Sequence, residues 1–204
     1  MRSIRVPIAV GCVVALLALP VSLRADAPLR LVVRLYNGVS LAGVDIDAAR
    51  GAAESILRDT GIEVSFRYCR MASPGGGAWD NCEEPRKPGE IVVRIINAPD
   101  PSVALDLDAL GSSYVLKSTD QGWLATVYAD SVASAASRAG VDRRTLMGLV
   151  LAHEVGHLLL GPGHASAGLM SAQWPDAALR RGAQSNWRFS TDEAATMQER
   201  LLDR

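Results

Sequence analysis

The chain has 204 residues, 49% of them hydrophobic and 21% charged, with a formal net charge of −1. This suits one well-packed globular unit, or one with a small appendage, and excludes fibrous and disordered classes. No basic block suited to a phosphate backbone is present, so nucleic-acid binding is not expected.

The first segment stands apart from the fold. Arg2 and Arg5 form a short basic start, Ile8 to Leu19 is an apolar run, and Pro20 leads to small residues around Ala25 and Ala27. This is the layout of a secretory signal peptide over residues 1–25, with 26–204 as one mature domain. An uncleaved anchor is the alternative, although the apolar run is short for a stable membrane-spanning helix. Removing Arg2, Arg5 and Arg24 takes the net charge from −1 to −4. The same cut removes Cys12 and leaves Cys69 and Cys82. An even pair in an exported chain reads first as a disulfide. Closing so short a loop contributes roughly 3 kcal/mol in the chain-entropy model. Free thiols, or metal ligands, are the other readings.

Leu29 to Tyr36 reads as a first strand, ended by Asn37-Gly38. From Asp45 to Thr60, Ile46, Ala49, Ala53, Ile56 and Leu57 recur at helical spacing, and Gly61 is a stop. Ile62 to Tyr68 alternates as a second strand, and Cys69 to Gly89 reads as loop. Glu90 to Ile96 has the near-continuous apolar character of a central strand. Gly111 to Lys117 and Leu124 to Ala129 are expected as two more strands around a turn at Ser118 to Gly122. A short helix over Ser131 to Ala139 follows, then a longer one capped by Asp142 and running to Leu160. Ser190 and Glu193 fit a capping box opening a last helix to about Leu202. The order predicts a mixed sheet of about five strands with helices packed on it, in the α/β to α+β range.

All three histidines of the chain fall in one twelve-residue window, HEVGHLLLGPGH, as His153, His157 and His164. His153 and His157 are four apart on the expected helix, so both rings leave one face a turn apart. That separation lets two imidazole nitrogens reach one zinc ion at about 2.1 Å. Glu154 is rotated about 100° from His153 and stands beside the ion as a general base for its water. Gly161-Pro162 ends the helix, and His164 can then return to the same ion. Three protein ligands leave a fourth position open, as in catalytic sites.

These residues resemble the metzincin clan of zinc metalloproteases, in particular its matrixin and archaemetzincin-like branches. The clan pattern is H-E-x-x-H-x-x-G-x-x-H with a methionine-containing turn beneath the metal. His153, Glu154, His157, Gly161 and His164 map onto it, and Met170 in AGLMS maps onto the Met-turn. Close resemblance covers residues 153–170. Gly161 comes one residue later than in the clan, giving H-E-x-x-H-x-x-x-G-x-x-H, and no tyrosine follows Met170. With the first strand expected to start almost at residue 25, no inhibitory propeptide of the matrixin type is expected.

The resemblance implies a zincin-like fold and a secreted or periplasmic zinc peptidase, binding one Zn²⁺ and acting on a peptide or protein substrate as a monomer. No membrane span is expected after signal cleavage. The alternative is a zinc-containing binding or scaffold protein with little turnover. Met170 also reads as core packing. Glu199 and Asp203 read as solvated charges before they read as a ligand pair of another zincin type. Trp174 and Trp187 read as packing under the last helix, or else as a pocket wall. By clan analogy alone, Leu124 to Tyr128 is the sheet edge on which a peptide would pair.

Overall fold

The computed structural model describes residues 28–39, 41–69, 82, 84–98, 109–182 and 187–204. The expected signal segment 1–25, Cys12, and most of the loop between Cys69 and Cys82 lie outside the described residues.

Five strands form one mixed sheet: β1 (Leu29–Asn37), β2 (Ile62–Cys69), β3 (Glu90–Ile96), β4 (Gly111–Leu116) and β5 (Gln121–Tyr128). Their order across the sheet is β2-β1-β3-β5-β4. The β1–β2, β1–β3 and β3–β5 pairings are parallel, and β4 alone runs antiparallel, against β5. Parallel neighbours need a covering crossover, and α1 (Gly43–Arg58) supplies it between β1 and β2. One face of the sheet is apolar, as the alternation of β1 requires: Leu31, Val33 and Leu35 are fully buried. Ile91, Val93 and Ile95 of β3 continue that layer.

The other helices are α2 (Ala129–Ala139), α3 (Arg143–Leu160), α4 (Asp176–Gly182) and α5 (Thr191–Leu202). α3 packs against α1, β4, β5, α2 and α5 together. Its sequence, LMGLVLAHEVGHLL, is apolar on every side, and residues 146–159 are all buried. A helix that is hydrophobic all round must be covered all round, and this places its two histidines in the interior. Asp142 caps it by accepting from the Thr145 N–H at 2.9 Å. Ser190 and Glu193 close a reciprocal capping box at the start of α5.

Three expectations are corrected. α4 has no counterpart in the sequence reading: seven residues carry too few turns for a periodic signal. β5 begins at Gln121 rather than Leu124, because a register shift between Tyr114 and Val115 lets Gly122 lie inside the strand. Leu124 to Tyr128 is therefore not the sheet edge; it is hydrogen-bonded on both sides, and β4 is the edge. The hairpin that brings β4 back along β5 occupies the outer hydrogen-bonding groups of β5.

On the opposite face, Arg34 of β1 and Glu90 of β3 form a buried ion pair at 2.5 Å. Arg34 also donates to the carbonyls of Glu84 and Pro85. Cys69 and Cys82 are joined in a disulfide, as their pairing in the sequence suggested. Among the described residues, no helix is long and apolar enough to cross a membrane.

Candidate metal centre

His153 and His157 leave one face of α3, and each ring is fixed by a main-chain carbonyl. His153 Nδ1 lies 2.8 Å from Leu169 O, and His157 Nδ1 lies 3.0 Å from Gly161 O. A carbonyl oxygen only accepts, so each Nδ1 carries the proton and each neutral ring presents Nε2 as a bare lone pair. Those two Nε2 atoms are 3.0 Å apart, and His164 Nε2 is 3.2 Å from that of His157. All three ligand atoms lie within 4.8 Å of one another.

Burial favours the neutral form of the two helical rings. Desolvation pushes His153 down to about 4, with its histidine neighbours adding to the effect and the Leu169 carbonyl opposing it. Burial lowers His157 in the same direction. Bare nitrogen lone pairs at such distances repel one another, and a cation between them removes the repulsion. In a tetrahedral zinc site with bonds near 2.1 Å, ligand nitrogens are about 3.4 Å apart. The donor set, its spacing and the tautomers of His153 and His157 fit a zinc ion. Among the described residues, no other group of His, Cys, Asp or Glu has this arrangement.

The one-residue displacement of Gly161 is absorbed by its backbone. Gly161 has φ 102° and ψ −172°, a conformation that L side chains rarely adopt. Its N–H bonds His157 O at 2.9 Å, closing the helix, while its own carbonyl receives His157 Nδ1. One glycine thus ends α3 and orients a histidine. The chain returns at once, and an Ala165 N–H to Met170 O hydrogen bond of 2.8 Å ties down the loop that follows His164. His164 is exposed, unlike the other two.

Met170 is 2% exposed and lies beneath α3, its Sδ 2.6 Å from where a Cβ on Gly156 would stand. Gly156 falls between the two histidines in sequence, so the methionine packs against the stretch of α3 that carries them. Glu154 is 4% exposed, and its Oε2 accepts from Ser113 Oγ at 2.7 Å. Burial raises its carboxyl to about 7, partly offset by that hydrogen bond.

Trp174 meets the His153 ring edge to face at 5.3 Å and packs on Trp187 at 4.9 Å. Both indoles are partly buried against the core, and their N–H groups have no partner among the described residues. Trp174 thus stands beside the His153 ring as well as packing against the core. Glu199 and Asp203 are exposed and outside that cluster. The sequence reading did not single out Ser113, Gly111 or the two ring-orienting carbonyls. Main-chain groups leave no signal in side-chain identity, and Ser113 is one of many serines.

No protein-family model matches the sequence, and no curated protein matches it. Solved structures are similar. Metalloproteinase-II from Bacteroides fragilis superposes with a TM-score of 0.52 at 18% identity, over 85% of this chain and 53% of that one. Archaemetzincin from Methanopyrus kandleri gives 0.50 at 15% identity, over 86% of this chain and 97% of that one. A zinc-dependent peptidase from Methanocorpusculum labreanum gives 0.53 at 14% identity, over 81% and 99%. The chain spans about half the length of the Bacteroides protein and nearly all of the other two. The fold is zincin-like: a five-stranded mixed sheet with the histidine-bearing helix packed on it.

Proposed function

We propose that the chain is a zinc-dependent peptidase, exported to the periplasm or beyond the cell, with residues 26–204 forming one metzincin-like catalytic domain. The observation that carries this is the convergence of three imidazole Nε2 atoms beside a buried carboxylate on the same helix. His153, His157 and His164 would hold one zinc ion, and Met170 would be the Met-turn residue beneath it. When bound, zinc supplies Lewis acidity, polarising a carbonyl and making water acidic near neutral pH. Glu154 takes a proton from the attacking water as its oxygen adds to the scissile carbonyl. It then returns that proton to the leaving amine as the C–N bond breaks. Similarity to zinc-dependent peptidases supports the same reading. The disulfide is consistent with an oxidising compartment. The substrate is a peptide or protein, and the working form a monomer.

The test is metal analysis followed by peptide-library hydrolysis with and without a chelator. One zinc per chain and chelator-sensitive cleavage are expected, with Glu154→Gln keeping zinc and losing cleavage. A full complement of zinc without cleavage of any peptide would favour a binding or scaffold protein instead. Metal-free protein with all three histidines intact would overturn both readings.

A further inference from the structure

Glu154 is held from the sheet as well as from its own helix. Ser113 Oγ lies 2.7 Å from Glu154 Oε2 and 3.0 Å from the main-chain oxygen of the same residue. Among the described residues, this hydroxyl is the carboxylate's hydrogen-bond donor. Two residues earlier on the same face of β4, Gly111 meets the other carboxylate oxygen. A Cβ on Gly111 would stand 2.5 Å from Glu154 Oε1 and 2.8 Å from Thr126 O. Those distances are below any real Cβ contact, so a larger residue would displace the carboxylate or the strand.

A glutamate has three rotatable side-chain bonds, and helix geometry restricts only the first. The remaining freedom must be removed if the carboxylate is to meet a water at one fixed place. A general base acts only within hydrogen-bond reach of its proton, and a misplacement of about 1 Å can cost about 100-fold in rate. Strand β4 removes that freedom from both sides. Ser113 ties down Oε2, and the missing side chain of Gly111 leaves the space in which Oε1 stands. Resting on the peptidase reading, we propose that Ser113 and Gly111 are positioning residues that fix the Glu154 carboxylate toward the attacking water. The edge strand thereby sets the geometry of the base.

The experiment compares full-length protein with Ser113→Ala and Ser113→Thr, measuring zinc content, thermal midpoint, kcat and KM, and the crystal structures of all three. Ser113→Ala is expected to keep one zinc and a near-parental midpoint. Its kcat should fall tenfold or more with KM within twofold, and its Glu154 carboxylate should move by over 1 Å or split between conformers. Ser113→Thr keeps the hydroxyl and should recover most of kcat and the parental Glu154 position. The proposal is overturned if Glu154 stays in place in Ser113→Ala, if kcat there is within twofold of an active parent, or if that variant loses zinc or its fold. The carboxylate position is read whether or not the parent cleaves peptides. An inactive parent with a displaced Glu154 in Ser113→Ala thus refutes the peptidase reading while supporting the positioning role.

Discussion

His153 and Leu169 are joined by a 2.8 Å hydrogen bond from ring to main chain, so the residue just before Met170 orients the first histidine. The buried methionine and the ring carbonyl belong to one short turn, and disturbing the packing should disturb the ring.

Met170→Ala should therefore have two effects. Truncating a buried methionine removes packing under Gly156 and costs about 2–5 kcal/mol. The Leu169 carbonyl then loses its fixed place, and zinc affinity falls about 10–100-fold, as for other partners that orient a ligand. Met170→Leu conserves volume and should stay within about 1.5 kcal/mol of the parent. Urea unfolding of the metal-free protein and competition with a chelator measure the two quantities separately.

His164→Ala should separate stability from metal binding. The ring is exposed, so the metal-free variant should unfold within about 0.5 kcal/mol of the parent. His153→Ala removes a buried, hydrogen-bonded ring and should lower both stability and affinity. Equal losses of metal-free stability in the two variants would contradict this division.

Glu154 gives a pH dependence of known sign. Burial raises its carboxyl from 4.5 to about 7. The folded state therefore holds this proton more tightly than the unfolded chain. Its stabilising contribution is complete below pH 4.5 and is lost as pH rises through about 7. Glu154→Gln cannot ionise. In metal-free protein it should match the parent in acid and exceed it by about 3 kcal/mol above pH 8. The depressed histidines act in the opposite direction, but they are common to both proteins and drop out of the difference. Denaturant melts at a series of pH values would read it, and parallel curves for the two proteins would contradict it.

Arg34 and Glu90 should behave as a coupled pair. Glu90→Gln leaves a buried guanidinium without its counterion and should cost about 3–5 kcal/mol. Arg34→Met also gives up the bonds to Glu84 and Pro85. The double variant should be more stable than the sum of the two losses implies, with an interaction energy above about 1 kcal/mol. A double-mutant cycle in urea measures it, and additivity would show that the pair contributes nothing beyond its separate contacts.

The sequence made legible whatever depended on side-chain periodicity. The alternation of Ile62 to Tyr68, the apolar run of Glu90 to Ile96 and the cap at Asp142 translate directly into β2, β3 and the start of α3. The spacing of His153 and His157 likewise reads out as one helix face, with Glu154 turned about 100° to its side. What stayed hidden depends on the main chain or on distant partners. The Gly161 carbonyl that orients His157, and the return of the chain to bring in His164, follow from one backbone conformation. Ser113 meets Glu154 across 41 residues of sequence, a pairing that only the placement of β4 beside α3 creates. The edge expectation rested on clan analogy alone; which strand lies outside is decided by the pairing of β5 with β3, which a side-chain pattern does not record.

The three histidines come from twelve consecutive residues, whereas the parallel strand pairings join positions about 30 to 60 residues apart. Contacts of such long range make folding slow, because the chain must close large loops before any pairing stabilises it. The metal cluster closes only a short loop. An unfolded or half-folded chain therefore already carries most of a zinc-binding set, and an ion held there weakens the preference for the native state that zinc would otherwise confer. Zinc should slow unfolding more than it speeds folding, since the rate-limiting assembly of the sheet lies elsewhere in the chain.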